Sequence, residues 1–180
     1  MQELQAAGRV KHLGLGGTTA YEMPAVLRTR NFAVLLTAFQ NSLLWREAEW
    51  EVLPTATELG MGIVCGSPLQ QGWLAARHDE EVKHGAPWLN LPRRRQLQAL
   101  YSYLDEINLP LPEVGLRWVL SNPHVSCVLM GAQSPAQVEQ NVAAVEKGPL
   151  SAEVLAALKE IADMVPFRPY GEPYGNPWGQ

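Results

Sequence analysis

Four short apolar runs alternate with longer segments of helical periodicity, and this alternation constrains the fold more than any other feature of the sequence. The runs are almost continuously apolar and rich in Val, Ile and Leu, which is typical of strands that helices cover on both faces. They lie at residues 10–15, 33–37, 62–65 and 125–130. Strands that alternate with helices pair in parallel through right-handed crossovers. The alternation therefore predicts an α/β fold with a parallel sheet.

Local signals mark where the helical segments begin. Apolar residues recur at helical spacing over residues 47–59 and 96–107. Three further helices are predicted from a proline or serine in the first turn or at the N-cap, at Pro112, Ser134 and Ser151. Ser134 carries the clearest signal, because Pro135 and Gln137 follow it at the positions that a capped helix favours.

Two stretches fit neither pattern. Residues 75–92 form a long connection with Pro87 and Trp88, which we interpret either as an active-site loop or as a disordered insertion. Residues 166–180 are dense in Pro, Gly and Tyr and are expected to form an irregular surface tail. We therefore predict one domain over residues 1–165 and a tail over residues 166–180.

Size and composition limit what the chain can be. Its 180 residues suffice for one domain but fall short of a complete (β/α)8 barrel of about 250 residues. The hydrophobic content of 47%, the charged content of 18% and the formal net charge of -4 fit a globular protein. The basic residues 93–95 precede Asp105 and Glu106 on one predicted helix, so we interpret them as a solvated face and expect no nucleic-acid partner.

Neither a membrane span nor a signal core is present in the sequence as given, so no membrane partner and a cytoplasmic location are expected. Cys65 and Cys127 lie in apolar runs and are expected to be buried, reduced thiols. Their spacing predicts neither a disulfide framework nor a metal site.

Four sequence blocks follow one another at the apolar runs in a characteristic order. They are Gly8-Arg9-Val10-Lys11-His12-Leu13-Gly14-Leu15, Asn41-Ser42-Leu43-Leu44-Trp45-Arg46-Glu47, Gly60-Met61-Gly62-Ile63-Val64-Cys65-Gly66-Ser67-Pro68-Leu69 with Gly72 and Leu74, and Gly131-Ala132-Gln133-Ser134-Pro135-Ala136-Gln137 through Asn141. In this order and spacing the chain resembles the aldo/keto reductases, from their fifth strand to their C-terminus. The resemblance implies a partial TIM barrel of about the last four βα units, with a C-terminal helix, an irregular tail, and NADP or NAD as cofactor.

The resemblance also implies which residues contact that cofactor. Ser67 and Leu69, with the backbone near Gln71 and Gly72, would line the pyrophosphate. The stretch from Gly131 would hold the adenosine side, with Gln133, Gln137, Gln140 and Asn141 facing it. Independently of the family, Gly131 precedes a capped helix whose free N–H groups and dipole favour a phosphate.

Each of these residues also has a purely structural interpretation. Gln137 would be only a capping residue, Ser67 a turn residue, and Asn141 a partner of nearby backbone. Gly72 and Gly131 would serve only the geometry of the backbone.

The sequence departs from the family on the nicotinamide side. The Ser-Asn pair that holds the carboxamide corresponds to Gly16-Gly17, and the aromatic residue that stacks on the ring corresponds to Gly66. The strand-six glutamine corresponds to Ala38, although Gln40 lies two residues on and could substitute. An arginine that binds the 2′-phosphate in some members corresponds to Gln137, so NADP is favoured over NAD by the family alone.

No catalytic residue is assigned in this chain. The family uses a tyrosine acid with lysine, aspartate and histidine partners, all from its first four strands, which precede the matching part. The tyrosines and histidines present here fall on predicted helices, loops, turns, the first strand and the tail, namely Tyr21, Tyr101, Tyr103, Tyr170, Tyr174, His12, His78, His84 and His124. We interpret them as surface or packing residues.

Four parallel strands cannot close a barrel that needs eight, so two sheet edges and the inner face would be uncovered. We expect the chain to be a fragment of a longer polypeptide, to pair with a separate N-terminal half, or to form a dimer of half-barrels. Its start resembles the end of a helix, with Leu4 and Ala7 at apolar spacing, which favours a truncation. The predicted function is the cofactor-binding half of an oxidoreductase that is inactive alone. The alternative is a non-enzymatic nucleotide-binding or dimeric scaffold module.

Overall fold

The computed structural model describes residues 1–29, 31–169 and 172, so the predicted tail residues Tyr170, Tyr174 and Trp178 lie outside the described part. The strands are β1 (Gly14–Gly17), β2 (Val34–Ala38), β3 (Gly62–Gly66) and β4 (Val125–Leu129). The α-helices are α1 (Gln2–Ala6), α2 (Met23–Leu27), α3 (Val52–Glu58), α4 (Asp79–His84), α5 (Leu91–Ile107), α6 (Leu111–Leu120), α7 (Pro135–Glu146) and α8 (Ala152–Asp163). Short 3-10 helices form at Glu47–Glu49 and Gln70–Gly72.

The strands form one parallel sheet in the order β1-β2-β3-β4. Leu15 pairs with Leu35, and Leu35 pairs with Ile63 on the next strand. Gly66 at the end of β3 pairs with Leu129 at the end of β4. Successive strands are therefore sheet neighbours that helices connect, as in consecutive units of a (β/α) barrel. The predicted α/β fold is confirmed.

The first strand begins later than the apolar run predicts. The backbone N–H groups of Arg9 and Val10 both donate to the carbonyl of Leu4, so this part of the run closes the end of α1. Pairing with β2 begins only at Gly14. His12 consequently precedes the strand and is exposed, and its predicted placement inside the strand is wrong.

The core lies between the helices and one face of the sheet. Leu35, Ile63 and Cys65 point to that face and are fully buried. On the opposite face Val34 is 37% exposed and Leu129 is 50% exposed.

Only one of the two cysteines is buried. Cys65 lies in the core, whereas Cys127 is exposed, so its predicted burial is wrong. Cys127 pairs in register with Val64, whose side chain points to the uncovered face of the sheet. The Cys127 side chain therefore lies on that face as well. Both thiols are free.

The helix boundaries follow the capping signals closely. Ser134 and Ser151 each accept a hydrogen bond from the backbone N–H three residues later, as N-caps do. Asn90 caps α5 in the same way, so this helix begins five residues earlier than its apolar spacing predicts. The connection 75–92 contains α4, and Trp88 packs edge-on against Trp73 with ring centroids 5.1 Å apart.

An ion-pair network links α6 to the end of α7. The carboxylate of Glu113 accepts hydrogen bonds from Arg117 at 2.9 Å and from Lys147 at 2.6 Å. Arg117 also donates to the carbonyls of Gly148 and Pro149. Burial alone would raise the pKa of Glu113, but the hydrogen bonds from its two basic partners outweigh it and the pKa lies below 4.5.

Within the described part of the chain, none of the helices combines the length and the apolar character that crossing a membrane requires.

Candidate cofactor site

The carboxyl ends of all four strands meet at one edge of the sheet, because the strands are parallel and adjacent. The predicted contact residues lie in the loops after β3 and β4 or on the first turns of α7, and the ends of these two strands are paired. The sheet therefore places the Ser67 and Gly131 loops side by side.

The loop after β3 has an unusual backbone. Ser67, Gln70 and Gln71 have φ values of 56°, 52° and 49°, and Gly72 has 113°, all in the left-handed region. Non-glycine residues occupy that region only when the surroundings hold them there. Here the fully buried Gln70 provides the anchor, because its amide donates to the carbonyl of Phe39 at 2.8 Å and to the hydroxyl of Ser42 at 2.7 Å, joining this loop to the loop after β2.

Within that loop the side chains divide by exposure. Gln71 is exposed, whereas Ser67, Leu69 and Gly72 are half-buried. Leu69 packs on α6, where a Cβ built on Gly115 would lie 2.9 Å from its Cδ2. The structure thus gives the Leu69 side chain a packing role against α6.

The loop after β4 leads into the exposed start of α7. Gly131 has no positive φ, and a Cβ built on it meets no atom within 4 Å. The hydroxyl of Ser134 accepts from the Gln137 N–H at 3.3 Å. The Gln137 side chain in turn accepts from the Gln133 N–H at 2.6 Å, one residue before the N–H that a capping box uses.

These contacts leave the start of α7 open to a ligand. Gln133, Gln137 and Gln140 are exposed and Asn141 is half-buried. Neither the backbone nor the packing requires a glycine at position 131, so the space beside this residue, three positions before the N-cap Ser134, is open.

On the side where the family resemblance places the nicotinamide, the strand ends have almost no polar or aromatic side chain that could contact a ligand. Gly66 pairs with Ala38, and Gly17 pairs with Thr37, which is fully buried. Gln40 does not compensate, because it is 3% exposed, its amide donates to the carbonyl of Thr18 and its oxygen accepts from Thr37 at 3.5 Å. The prediction that Gln40 could substitute for the family's glutamine therefore has no support in this geometry.

The tyrosines and histidines hold structural positions. The hydroxyl of Tyr101 accepts the backbone N–H of His78 at 3.0 Å. Burial raises the pKa of Tyr101 and lowers the pKa of His78. Tyr21 is 75% exposed in the turn after β1 and contacts the ring of Trp50. Among the described residues, no group of three or more His, Cys, Asp or Glu could hold a metal ion.

Sequence reasoning missed a buried charge cluster beside the strand ends. Arg93 makes two 2.9 Å hydrogen bonds to the carboxylate of Glu172, and both side chains are almost completely buried. Arg168 pairs with Glu47 at 3.3 Å and donates to a backbone carbonyl after β2. The two guanidinium groups lie 4.4 Å and 5.4 Å from the ring centroid of Trp45.

This cluster corrects one interpretation. The predicted solvated helix face is wrong for Arg93, which is fully buried. It pairs with Glu172 in the C-terminal segment, the part of the chain after α8 that also contains Arg168. Arg94 is half-buried and donates to the carbonyl of Val82, so only Arg95 of the three is exposed. A helical pattern would have revealed the exception, since Arg93 shares a face with the apolar Leu97 and Leu100.

A four-stranded parallel sheet with covering helices and polar loops at its carboxyl edge has the architecture of consecutive βα units of a TIM barrel. The aldo/keto reductase family model matches residues 1–163. The chain belongs to the aldo/keto reductase family.

Individual relatives agree with this assignment. The chain is 33% identical to a pyridoxal 4-dehydrogenase of Microbacterium luteolum, over 79% of this chain and 42% of that protein. It is 31% identical to the uncharacterized oxidoreductase YrpG of Bacillus subtilis, over 86% and 50%. An aldo-keto reductase of Bacillus halodurans, solved in a holo form, superposes with a TM-score of 0.72 at 28% identity, over 96% of this chain and 57% of that one. The chain thus spans about half the length of the relatives that it matches.

Proposed function

We propose that this chain is the cofactor-binding half of an NAD(P)-dependent oxidoreductase that interconverts aldehydes or ketones with alcohols. Residues 1–165 would form the half-barrel and residues 166–180 its tail. The proposed contacts to the dinucleotide are Ser67, Leu69, Gln71 and Gly72 on the pyrophosphate side, and Gly131, Gln133, Gln137, Gln140 and Asn141 on the adenosine side.

The open space above Gly131 is the main support for the proposal. The backbone conformation and the packing impose no requirement for glycine there, yet the residue precedes a helix start whose first residues are exposed. A helix start of this kind favours a phosphate group through its free N–H groups and its dipole. The neighbouring loop adds the exposed residue Gln71.

The proposed contacts differ along the dinucleotide. At the adenosine and pyrophosphate end, the residues present fit the group. At the nicotinamide end, Gly16, Gly17, Ala38 and Gly66 provide no polar or stacking side chain. Once bound, the cofactor would supply a hydride. A proton donor for the substrate would have to come from residues outside this chain. We therefore propose that the isolated chain is inactive. NADP is proposed over NAD on the family alone.

A binding titration tests the proposal. The fluorescence of NADPH, and separately of NADH, is followed as the 180-residue chain is added. Gly131→Leu is expected to weaken binding by about tenfold or more, since the side chain would fill the space for the phosphate. Ala143→Leu introduces the same side chain at an exposed position about two turns into α7 and serves as the matched control. No saturable signal with the unmodified chain, or equal effects of the two substitutions, would refute the proposed site.

The uncovered side of the sheet favours a partner of the same architecture. Besides the exposed Val34 and Leu129 of the inner face, α7 exposes Val138, Val142 and Val145, each between 46% and 52% exposed, along one helical stripe. The proposed occupant is a second set of four βα units, from the remainder of a longer chain or from a second copy. Sedimentation of the isolated chain as a compact monomer that unfolds cooperatively would argue against the second copy. The scaffold alternative predicts association without any effect of NADPH.

A further inference from the structure

A cavity of about 380 Å³ lies between the loops after β1 and β2 and the C-terminal segment. Neither of the two loops proposed for the dinucleotide contributes to it. Its charged walls are Glu22 from the first loop, Glu47 from the second, and Arg168 and Glu172 from the C-terminal segment. The side chain of Tyr21 stands at its rim.

The most informative group in this cavity is the carboxylate of Glu47. Its Oε1 accepts from Arg168 at 3.3 Å, whereas its Oε2 is buried and has no hydrogen-bond partner among the residues that the structure describes. The residue is 7% exposed, so bulk water does not satisfy that oxygen freely. A buried charged acceptor without a donor is costly and marks a place where a donor is missing.

Two other polar side chains of the cavity, Glu172 and Gln40, are already engaged by the protein. Both oxygens of Glu172 accept from the guanidinium of Arg93, and both ends of the Gln40 amide are bonded to protein. Arg93 thereby balances the charge of Glu172, and Arg168 balances the charge of Glu47. Glu22 is exposed and adds a further negative charge. The three carboxylates of Glu22, Glu47 and Glu172 stand against the two guanidinium groups of Arg93 and Arg168. One net negative formal charge therefore remains around the cavity, which favours a cation over an anionic group.

The rim adds an aromatic surface. The ring of Tyr21 lies 6.2 Å from that of Trp50, and Trp50 lies 5.0 Å from Phe167. All three rings are between 42% and 75% exposed. Exposed aromatic faces next to carboxylates attract organic cations through the ring quadrupole.

We propose that this cavity binds a small organic cation with a primary ammonium group, which donates a hydrogen bond to Oε2 of Glu47. An ammonium carries three donors and one charge, so it satisfies the buried oxygen and balances the remaining negative charge. The aliphatic or aromatic body of the ligand then lies toward Tyr21 at the rim. This inference rests on the cavity alone and does not depend on dinucleotide binding.

The probe for the test is 1,4-diaminobutane, with 1,4-butanediol as a neutral compound of the same shape. Binding to the full 180-residue chain is measured by calorimetry at pH 7. Glu47→Gln removes the charge of the acceptor and is expected to weaken binding of the diamine by about tenfold or more. Glu49→Gln, two residues on and outside this cavity, is the matched control and is expected to change binding by less than about twofold.

Two exposed positions keep the test decisive if Glu47→Gln fails to fold. Tyr21→Ala and Glu22→Gln alter the rim without touching the core, and each is expected to weaken diamine binding severalfold. Saturable binding of the diamine that these variants reduce supports the proposal. Absence of saturable binding, equal binding of the diol, or equal effects of Glu47→Gln and Glu49→Gln would overturn it. Diamine binding that is unchanged in the presence of NADPH would show that this cavity is distinct from the proposed dinucleotide site.

Discussion

The buried ion pair between Arg93 and Glu172 holds the C-terminal segment against the strand ends, and Glu172→Gln tests that role. Glutamine keeps the shape of the side chain but removes the negative charge opposite a fully buried guanidinium. Its amide group also presents N–H donors to a guanidinium that has only donors. The substitution therefore leaves a positive charge buried without its counter-charge.

Two responses to this substitution compete, and the less costly one sets the magnitude. If the segment stays in place, removing one partner of a buried pair costs about 3–5 kcal/mol. If the segment detaches, Arg93 becomes hydrated, but the Arg168–Glu47 pair and the contact of Arg168 with the Trp45 ring are lost. Those interactions together are worth about 2–3 kcal/mol. We expect detachment, with a loss of about 2–3 kcal/mol in the free energy of unfolding.

Urea unfolding gives the free energy, and hydrogen exchange of peptides covering residues 164–172 detects detachment. Glu160→Gln on the exposed side of α8 makes the same chemical change without a buried partner and is the control. The double variant with Arg93→Met is expected to recover part of the lost free energy, since it removes the unpaired charge. Equal free energies for Glu172→Gln and Glu160→Gln, with unchanged exchange, would refute the argument that this pair anchors the segment.

Three further predictions concern other parts of the fold. The pKa of Glu113 is lowered in the folded state, so its contribution to the free energy of unfolding is present above pH 4.5 and is lost as the pH falls through the lowered pKa. Glu113→Gln should therefore flatten the loss of stability in acid, measured by urea unfolding at several pH values. An unchanged dependence of the free energy of unfolding on pH would contradict this. Gly115→Ala should displace Leu69, shift the NMR signals of the loop after β3, and lower the free energy of unfolding by about 1–3 kcal/mol. Unperturbed loop signals would show that Leu69 does not pack tightly against Gly115. Cys127 should react with iodoacetamide much faster than Cys65, whose pKa burial raises, and equal mass-spectrometric labelling rates would argue against the uncovered sheet face.

The fold could be predicted from the sequence because its signals are local. Ser134 and Ser151 cap helices through their own hydroxyl groups, and an apolar run reports burial directly. The same locality explains the errors. Whether Val10 pairs in a sheet depends on its contact with Leu4, and whether Cys127 is covered depends on residues that lie beyond the sheet edge.

The site is harder to predict because its chemistry depends on distant pairs. Arg93 and Glu172 are 79 positions apart, and no periodicity connects them. The strained backbone around Gln71 likewise depends on the side chain of Gln70 reaching another loop. Resemblance to a family predicts which loops would border a cofactor, but it does not reveal that the Leu69 side chain packs on α6 or that the Gln40 amide is bonded within the protein.

The charges near α7 bear on how a dinucleotide would be distinguished from its phosphorylated form. Between Gly131 and Asn141 the only charged residue is Glu139, so this stretch offers no cation to a 2′-phosphate. Any phosphate bound there would be held by N–H groups, side-chain amides and the helix dipole, interactions that are individually modest and spread over the first turn. A guanidinium at position 137 would add a bidentate, charged contact of about 1.5–3 kcal/mol, which is roughly tenfold to more than a hundredfold in affinity. The glutamine at this position therefore favours a site that discriminates weakly between NADPH and NADH, and Gln137→Arg would be the direct way to raise that discrimination.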